Sequence, residues 1–271
     1  MTPLSSTPTS TPKGTLMDLH APRGLAVVTG ASAGIGLATA TALHAAGYTV
    51  ISASRRLKDH DDHDGAVGTR HLDVTDPASV AALARTVDEH PQPLTLLVNN
   101  AGIPTPAATI ADSDITDWQN TYETNVVGSV RTTQALLPHL IHNRGHVVFT
   151  GSTVGRVPYE RGAAYAASKH ALTALVQTLR LELNGLPVRV TEIAPGMMRG
   201  DERGGEFMRA RFADDQAAID AVYQGVADPL VPEDIADCIV WCATRPAHVD
   251  IDLIEVRPLA QASQNKVHRT H

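Results

Sequence analysis

A single doubly wound α/β domain, with a seven-stranded parallel sheet and a substrate lid after the sixth strand, is the fold the sequence predicts. Three observations predict it. Short apolar, β-branched runs alternate with amphipathic helical stretches across residues 24–257, the pattern of a parallel sheet covered on both faces. The stretch Gly24–Ser54 carries no Asp, Glu, Lys or Arg, so its strands and helix are buried. Neither a linker nor an internal repeat divides this core.

The elements follow in order. Leu25–Thr29 reads as a buried strand, followed by a glycine-rich turn, a helix over about 35–46 and a second strand, Tyr48–Ala53. Gly47 suits the helix C-terminus. His71–Asp73 reads as a short third strand, Pro77–His90 as a helix, Leu94–Asn99 as a strand and Ile115–His142 as mainly helix. His146–Thr150, Ala163–Asn184 and Val188–Ile193 continue as strand, helix and strand. Pro232–Thr244 as helix and Ile251–Arg257 as strand complete seven strands. Residues 197–230 break the rhythm. They are rich in Gly, Arg and Asp, hold a short helix, and follow a strand end, where ligands bind in such folds.

Composition excludes other classes. The 271 residues are 43% hydrophobic and 19% charged, which specifies a globular core. A net charge of −7 and 4% aromatics argue against a nucleic-acid binder. Gly, Ser, Thr and His interrupt the uncharged stretch 24–54, so no membrane span is expected. Residues 1–22, rich in Ser, Thr and Pro, read as a disordered tail, residues 23–260 as the domain, and 261–271 as a C-terminal tail. Cys238 and Cys242, one helical turn apart, read as reduced small hydrophobes of a cytoplasmic protein; no metal site is expected.

The chemistry-bearing motifs begin at the first turn, Gly30-Ala31-Ser32-Ala33-Gly34-Ile35-Gly36. Its glycines let the backbone approach a pyrophosphate at a helix N-terminus, although a tight turn with close packing reads the same way. The second strand ends in Ser54-Arg55-Arg56 without an acid. That favours NADP(H) over NAD(H), because arginines meet a 2′-phosphate where an acid would hold a 2′-hydroxyl; a solvated arginine pair is the alternative. Tyr165 and Lys169 share a helix face at i, i+4, where an ammonium stabilises a phenolate. Ser152, beyond the fifth strand, can polarise a substrate oxygen or simply cap a turn.

Together, TGASAGIG (29–36), NNAG (99–102), Asn125, Ser152, YAASK (165–169) and Pro195-Gly196 resemble the short-chain dehydrogenase/reductase family, over about residues 23–260. Within it the sequence is most similar to NADP-dependent 3-hydroxy acid dehydrogenases of the serine-oxidising kind, whose C-terminal stretch resembles residues 245–269 here. The resemblance implies a Rossmann-type domain with Tyr165 as proton donor or acceptor and Lys169 lowering its pKa and holding the nicotinamide ribose. Ser152 would polarise the substrate oxygen, and Asn125 would keep a water in a proton relay. For the cofactor, the first turn (Gly30, Ser32, Ala33, Gly34, Ile35, Gly36) would hold the pyrophosphate and Ser54, Arg55 and Arg56 the 2′-phosphate. Asp73 and Val74 would flank the adenine, Asn99, Ala101 and Gly102 would lie along the adenosine, and Pro195, Gly196 and Met198 would meet the nicotinamide carboxamide. A homotetramer or homodimer is also implied.

Two departures stand out. The run after Pro195-Gly196 is about four residues longer than in the related enzymes and places Gly205 where they carry a Thr. The link from Arg55 to Asp73 is short and filled by HDDHD (60–64), which reads as a solvated acidic loop. The expected activity is NADP(H)-dependent interconversion of an alcohol and its aldehyde or ketone. A small hydroxy acid is the substrate the resemblance suggests, with Arg199, Arg203 or Arg209 pairing its carboxylate. A biosynthetic reductase of specialised metabolism and a non-catalytic NADP-sensing protein on the same fold are the alternatives.

Overall fold

The computed structural model describes residues 23–60, 67–200 and 205–270. The expected tail at 1–22 and most of the HDDHD loop lie outside the described residues. Seven parallel strands form one sheet: β1 (Leu25–Thr29), β2 (Thr49–Ser54), β3 (Val67–His71), β4 (Leu94–Asn99), β5 (His146–Thr150), β6 (Arg189–Pro195) and β7 (Leu253–Val256), in the order 3-2-1-4-5-6-7. The order reverses between β1 and β4, the switch point at which doubly wound sheets bind ligands beyond the strand carboxyl ends.

The strand sequences fix which side chain faces which layer. In β1, Leu25 and Val27 join one core cluster while Ala26 and Val28 join the other. β5 divides likewise, Val147 and Phe149 on one side and Val148 on the other. One face is covered by α1 (Gly34–Ala45) and α8 (Pro232–Ala243) through Ala40, Leu43, Ile235 and Ile239. The opposite face packs under α2 (Pro77–Asp88), α4 (Gly128–His142) and α5 (Ala163–Glu182) through Leu83, Leu136, Leu140, Leu172 and Val176. Each fully buried Leu, Ile or Val side chain among these contributes about 1.5–3 kcal/mol. Cys242 lies in this core and both cysteines are free.

Three local readings change. The third strand is Val67–His71 and pairs with β2, whereas the sequence reading placed it at His71–Asp73. Asp73 cannot continue the strand, because its carboxylate accepts from the amide (2.9 Å) and hydroxyl (2.7 Å) of Thr75 and so closes a turn. The long helix 115–142 is broken in register: α3 (Ile115–Tyr122) passes through a π-helical turn at Glu123–Val127 before α4. The lid carries two helices rather than one, α6 (Gly205–Phe212) and α7 (Gln216–Tyr223).

Residues 261–267, read as part of a tail, fold back as a hairpin, β8 (Gln261–Ser263) against β9 (Lys266–Val267). Gln261 accepts a hydrogen bond from the Met197 amide at 2.7 Å, and Gln264 donates to Thr153 at 2.5 Å. The chain end thus braces the segment after β6. Among the described residues no helix is long and apolar enough to cross a membrane.

Candidate active site

A cleft of about 1530 Å³ opens at the carboxyl ends of the strands. Its cofactor half is built largely from backbone. Gly30 takes a left-handed φ of 67°, and a Cβ there would stand 2.9 Å from the Ala101 Cα. A Cβ on Gly36 would lie 2.4 Å from the Gly30 carbonyl oxygen, so only glycine lets the helix start this close to the turn. Gly34, at φ 53°, has nothing within 4 Å of its Cβ position, which leaves room over the turn. The N-cap of α1, Ala33, offers no side-chain cap, so the first-turn amides remain available to an anion.

Beyond β2, Ser54, Arg55 and Arg56 line the same cleft. The Ser54 hydroxyl is buried without a hydrogen-bond partner, an orphan donor that a phosphate oxygen would satisfy. Arg56 donates to the Ser32 hydroxyl (3.1 and 2.7 Å) and pairs with Glu206 of the lid. Burial works to raise the Asp73 carboxyl, but its bonds with Thr75, together with Arg55 and His71, hold it below the usual carboxylate range. An uncapped helix start, an orphan hydroxyl and two arginines fit a dinucleotide bearing a 2′-phosphate.

The other half is built from side chains. On α5, Tyr165 and Lys169 lie on one face, with the Lys169 Nζ 5.7 Å from the tyrosine ring centroid. Lys169 donates to the Thr150 carbonyl at 2.8 Å. Burial lowers its pKa to about 8, opposed by Glu192. Glu192 itself lies buried beneath the site, held by Arg156 through two hydrogen bonds (3.0 and 2.8 Å) and by the Thr173 hydroxyl at 3.1 Å.

Burial pushes the Tyr165 phenol well above its ordinary value, and Tyr159 adds to this; a hydrogen bond with Ser152 and the Arg211 guanidinium oppose it. Arg211 thus faces the phenol from the lid, while Lys169 lies beside its ring on α5. Ser152 also accepts from the Val154 amide at 3.2 Å, which caps the turn, and it lines the cleft. Phe207 of α6 packs edge-on against Tyr165, ring centroids 5.2 Å apart.

Of the residues singled out from the sequence, the cleft brings together Gly30, Ser32, Ala33, Gly34, Ile35, Ser54, Arg55, Arg56, Asp73, Val74, Ala101, Gly102, Ser152, Tyr165, Lys169, Pro195, Gly196 and Met198. Three stand behind it. Gly36 packs under the turn. Asn99 is buried, donating to Thr133 (2.9 Å) and accepting from Thr132 (2.5 Å), and Asn100 lines the cleft in its place. Asn125 sits in the π-helical turn, where its side chain bonds both backbone groups of Ile103 (2.8 and 3.0 Å) and donates to Ser168 (3.1 Å). Such turns recur at functional sites.

Among the lid arginines, Arg199 stacks on Tyr223, its guanidinium 5.3 Å from the ring, Arg209 lines the cleft, and Arg203 lies outside the described residues. Tyr159, Phe207, Arg211, Gln261 and Gln264 also line the cleft and had not been singled out. They come from three separate segments, the loop before α5, the lid helix α6 and the terminal hairpin, and no sequence spacing links one segment to another.

Comparison with known proteins agrees with this geometry. The model of the family described as short chain dehydrogenase matches residues 24–207. An uncharacterized oxidoreductase of Mycobacterium tuberculosis is 44% identical over 245 residues, covering 89% of this chain and 94% of the relative. The NADP-dependent 3-hydroxy acid dehydrogenase of Salmonella typhi is 35% identical over 254 residues, covering 91% and 100%. Among solved structures, the closed form of a serine dehydrogenase complexed with NADP+ superimposes with a TM-score of 0.80 at 32% identity, covering 91% of this chain and all of that one. With a Gly-rich turn, a Tyr–Lys helix pair and this sheet order in one chain, the protein belongs to the short-chain dehydrogenase/reductase family.

Proposed function

We propose that the cleft interconverts a small hydroxy acid and its aldehyde or ketone. The protein is an NADP(H)-dependent oxidoreductase acting on CH–OH and carbonyl groups. The observation that carries the proposal is the convergence of Ser152, Tyr165 and Lys169 in the cleft that also holds the Gly-rich turn and the Ser54-Arg55-Arg56 corner. When bound, NADP(H) supplies or accepts the hydride.

The chain's own residues then have distinct tasks. The Ser152 hydroxyl hydrogen-bonds the substrate oxygen and orients it against the Tyr165 phenol. Tyr165 donates its proton to the oxygen as a carbonyl is reduced, leaving a phenolate, and in the reverse direction that phenolate takes the proton of the alcohol; burial favours the protonated phenol. Lys169 is anchored by Thr150, and its remaining N–H groups would hold the nicotinamide ribose. The backbone at Pro195, Gly196 and Met198 would meet the carboxamide, and Asn125 holds the Ile103 loop and the π-helical turn against α5. Asp73 and Val74 would flank the adenine, and the Ala101 and Gly102 backbone would lie along the adenosine. The hydroxy-acid class is supported by the names of the Salmonella relative and the serine dehydrogenase structure.

The test is an absorbance assay of nicotinamide consumption with 3-oxopropanoate. Oxidation of NADPH, with much slower oxidation of NADH, is the expected result; absence of turnover with both cofactors across a panel of small oxo acids overturns the proposal. The protein is further proposed to work in the cytoplasm as a homotetramer or homodimer. Free Cys238 and Cys242 and the exposed apolar side chains of Ile115, Tyr122 and Leu181 support this. Light scattering that returns the mass of one 28.7 kDa chain overturns the oligomer.

A further inference from the structure

Arg211 is an unusual lid residue. The guanidinium of a lid arginine ordinarily reaches water, yet Arg211 is 8% exposed and lines the cleft beside Tyr165. A charge so placed calls for a counter-charge. Among the described residues no carboxylate pairs with it.

Its neighbours hold it in place without neutralising it. It donates to the Tyr159 hydroxyl at 2.8 Å and to the Arg161 carbonyl at 3.1 Å. The guanidinium carbon lies 4.7 Å from the Tyr159 ring centroid and 5.4 Å from that of Phe212. Arg161 stands at a left-handed φ of 58°, a costly conformation of the kind that collects at ligand sites. Two hydrogen bonds tie the arrangement down, since the Ala107 amide donates to the Arg211 carbonyl at 3.0 Å and the Arg161 guanidinium donates to the Ala107 carbonyl at 3.0 Å.

An arginine has five N–H donors, so three remain. Burial holds the Tyr159 phenol protonated, and because that oxygen accepts from Arg211, its own O–H is left to donate outward. A fixed cation and a neutral hydroxyl donor therefore face one side of the cleft, next to the tyrosine placed at the reacting oxygen.

We propose that Arg211 and Tyr159 form the subsite for the anionic group of the substrate, a carboxylate or a sulfonate carried close to the carbonyl carbon. The proposal rests on the oxidoreductase reading above and deepens it by assigning the acid group to a place. It moves that role from Arg199, Arg203 and Arg209, which the sequence suggested, to a residue on the inner side of α6. The fork of a guanidinium suits both oxyanions, so the geometry gives the shared chemistry and the experiment separates the two.

Steady-state kinetics with NADPH on 3-oxopropanoate, sulfoacetaldehyde and uncharged propanal test it, in the wild type and in Arg211→Gln, Arg211→Lys and Tyr159→Phe. The quantity read is the ratio of kcat/KM for each anion to that for propanal. All three aldehydes need the same proton and hydride, so any effect of Arg211 on Tyr165 cancels in the ratio. Loss of charge-assisted hydrogen bonds should lower the ratio about 100-fold in Arg211→Gln, mainly through KM, and less in Arg211→Lys and Tyr159→Phe. The larger wild-type ratio between the two anions identifies which oxyanion the subsite prefers.

A ratio unchanged in Arg211→Gln, or a wild type that does not discriminate against propanal, overturns the proposal. Retained NADPH affinity in Arg211→Gln shows that the variant is folded; if it is not, Arg211→Lys and Tyr159→Phe carry the test. Turnover of none of the three aldehydes counts against the oxidoreductase assignment instead. The subsite is then read by calorimetric titration of the NADP+-loaded protein with 3-hydroxypropanoate. Binding that is lost in the variants supports the subsite, and binding that is equal or absent overturns it.

Discussion

The two halves of the cleft are made of different material. On the β1–β3 side the surface is mostly backbone: a turn at Gly30, a helix start without a side-chain cap, and a glycine at 36 whose missing Cβ lets two main chains meet. On the β4–β7 side the surface is side chains delivered by five separate segments, with Ser152 after β5, Tyr165 and Lys169 on α5, Tyr159 before it, Arg211 on the lid and Gln261 on the terminal hairpin. A shared cofactor can be met by a fixed backbone shape, whereas a substrate must be met by groups that are free to vary. The backbone half thus meets the cofactor with a fixed shape, while the side-chain half combines the family's Ser152, Tyr165 and Lys169 with groups placed to meet the substrate.

That contrast breaks most sharply at Gly36. An alanine there places its Cβ 2.4 Å from the Gly30 carbonyl oxygen and 2.6 Å from the Asn100 amide nitrogen. Overpacking of this kind costs about 1–3 kcal/mol, and because the turn itself is displaced, Gly36→Ala should lose NADPH affinity by about two orders of magnitude. Fluorescence titration and thermal melting check it. A variant that binds NADPH like the wild type would mean that the backbone shape is not what holds the cofactor.

The side-chain corner of the cofactor half sharpens the comparison. Arg55→Ser should weaken NADPH about 10- to 100-fold, the worth of a charge-assisted hydrogen bond, and leave NADH within about threefold. An equal loss for both cofactors would place Arg55 away from the 2′-phosphate.

On the side-chain half the handle is pH. Burial lowers Lys169 to about 8, so its ammonium is present below that value and is lost as pH rises through it. The value of kcat/KM for NADPH, which reports the free protein, should fall above about pH 8. A flat profile to pH 9.5 would remove Lys169 from the chemistry. The smallest effect is expected where the halves touch, at the exposed pair between Arg56 and Glu206. Such pairs contribute about 0–1 kcal/mol, and Glu206→Gln, by removing a carboxylate near the phosphate site, should tighten NADPH by no more than about threefold.

The same division explains how much was legible in the sequence. The sheet, the Gly-rich turn and the Tyr165–Lys169 pair are encoded by local spacing, a strand alternation or a single helical turn, and could be read directly. Asn99 and Asn100 could not be told apart, because one step along a strand end moves a side chain from the α4 face to the cleft. The third strand was displaced because Asp73, read as its last residue, spends its carboxylate on the turn at Thr75. Tyr159 and Arg211 are 52 residues apart and meet only when the lid folds over the loop before α5, so nothing in the sequence joined them. The hairpin at 261–267 is likewise a tertiary product, held through Gln261 and Gln264.

The most direct test of the division of labour is a paired measurement on Tyr165→Phe: NADPH affinity by nicotinamide fluorescence, and turnover with the same cofactor. The account predicts NADPH binding within about threefold of the wild type, with turnover reduced by at least about 100-fold, the scale of general acid–base catalysis. Turnover close to the wild-type rate, or binding and turnover lost in equal measure, would contradict it.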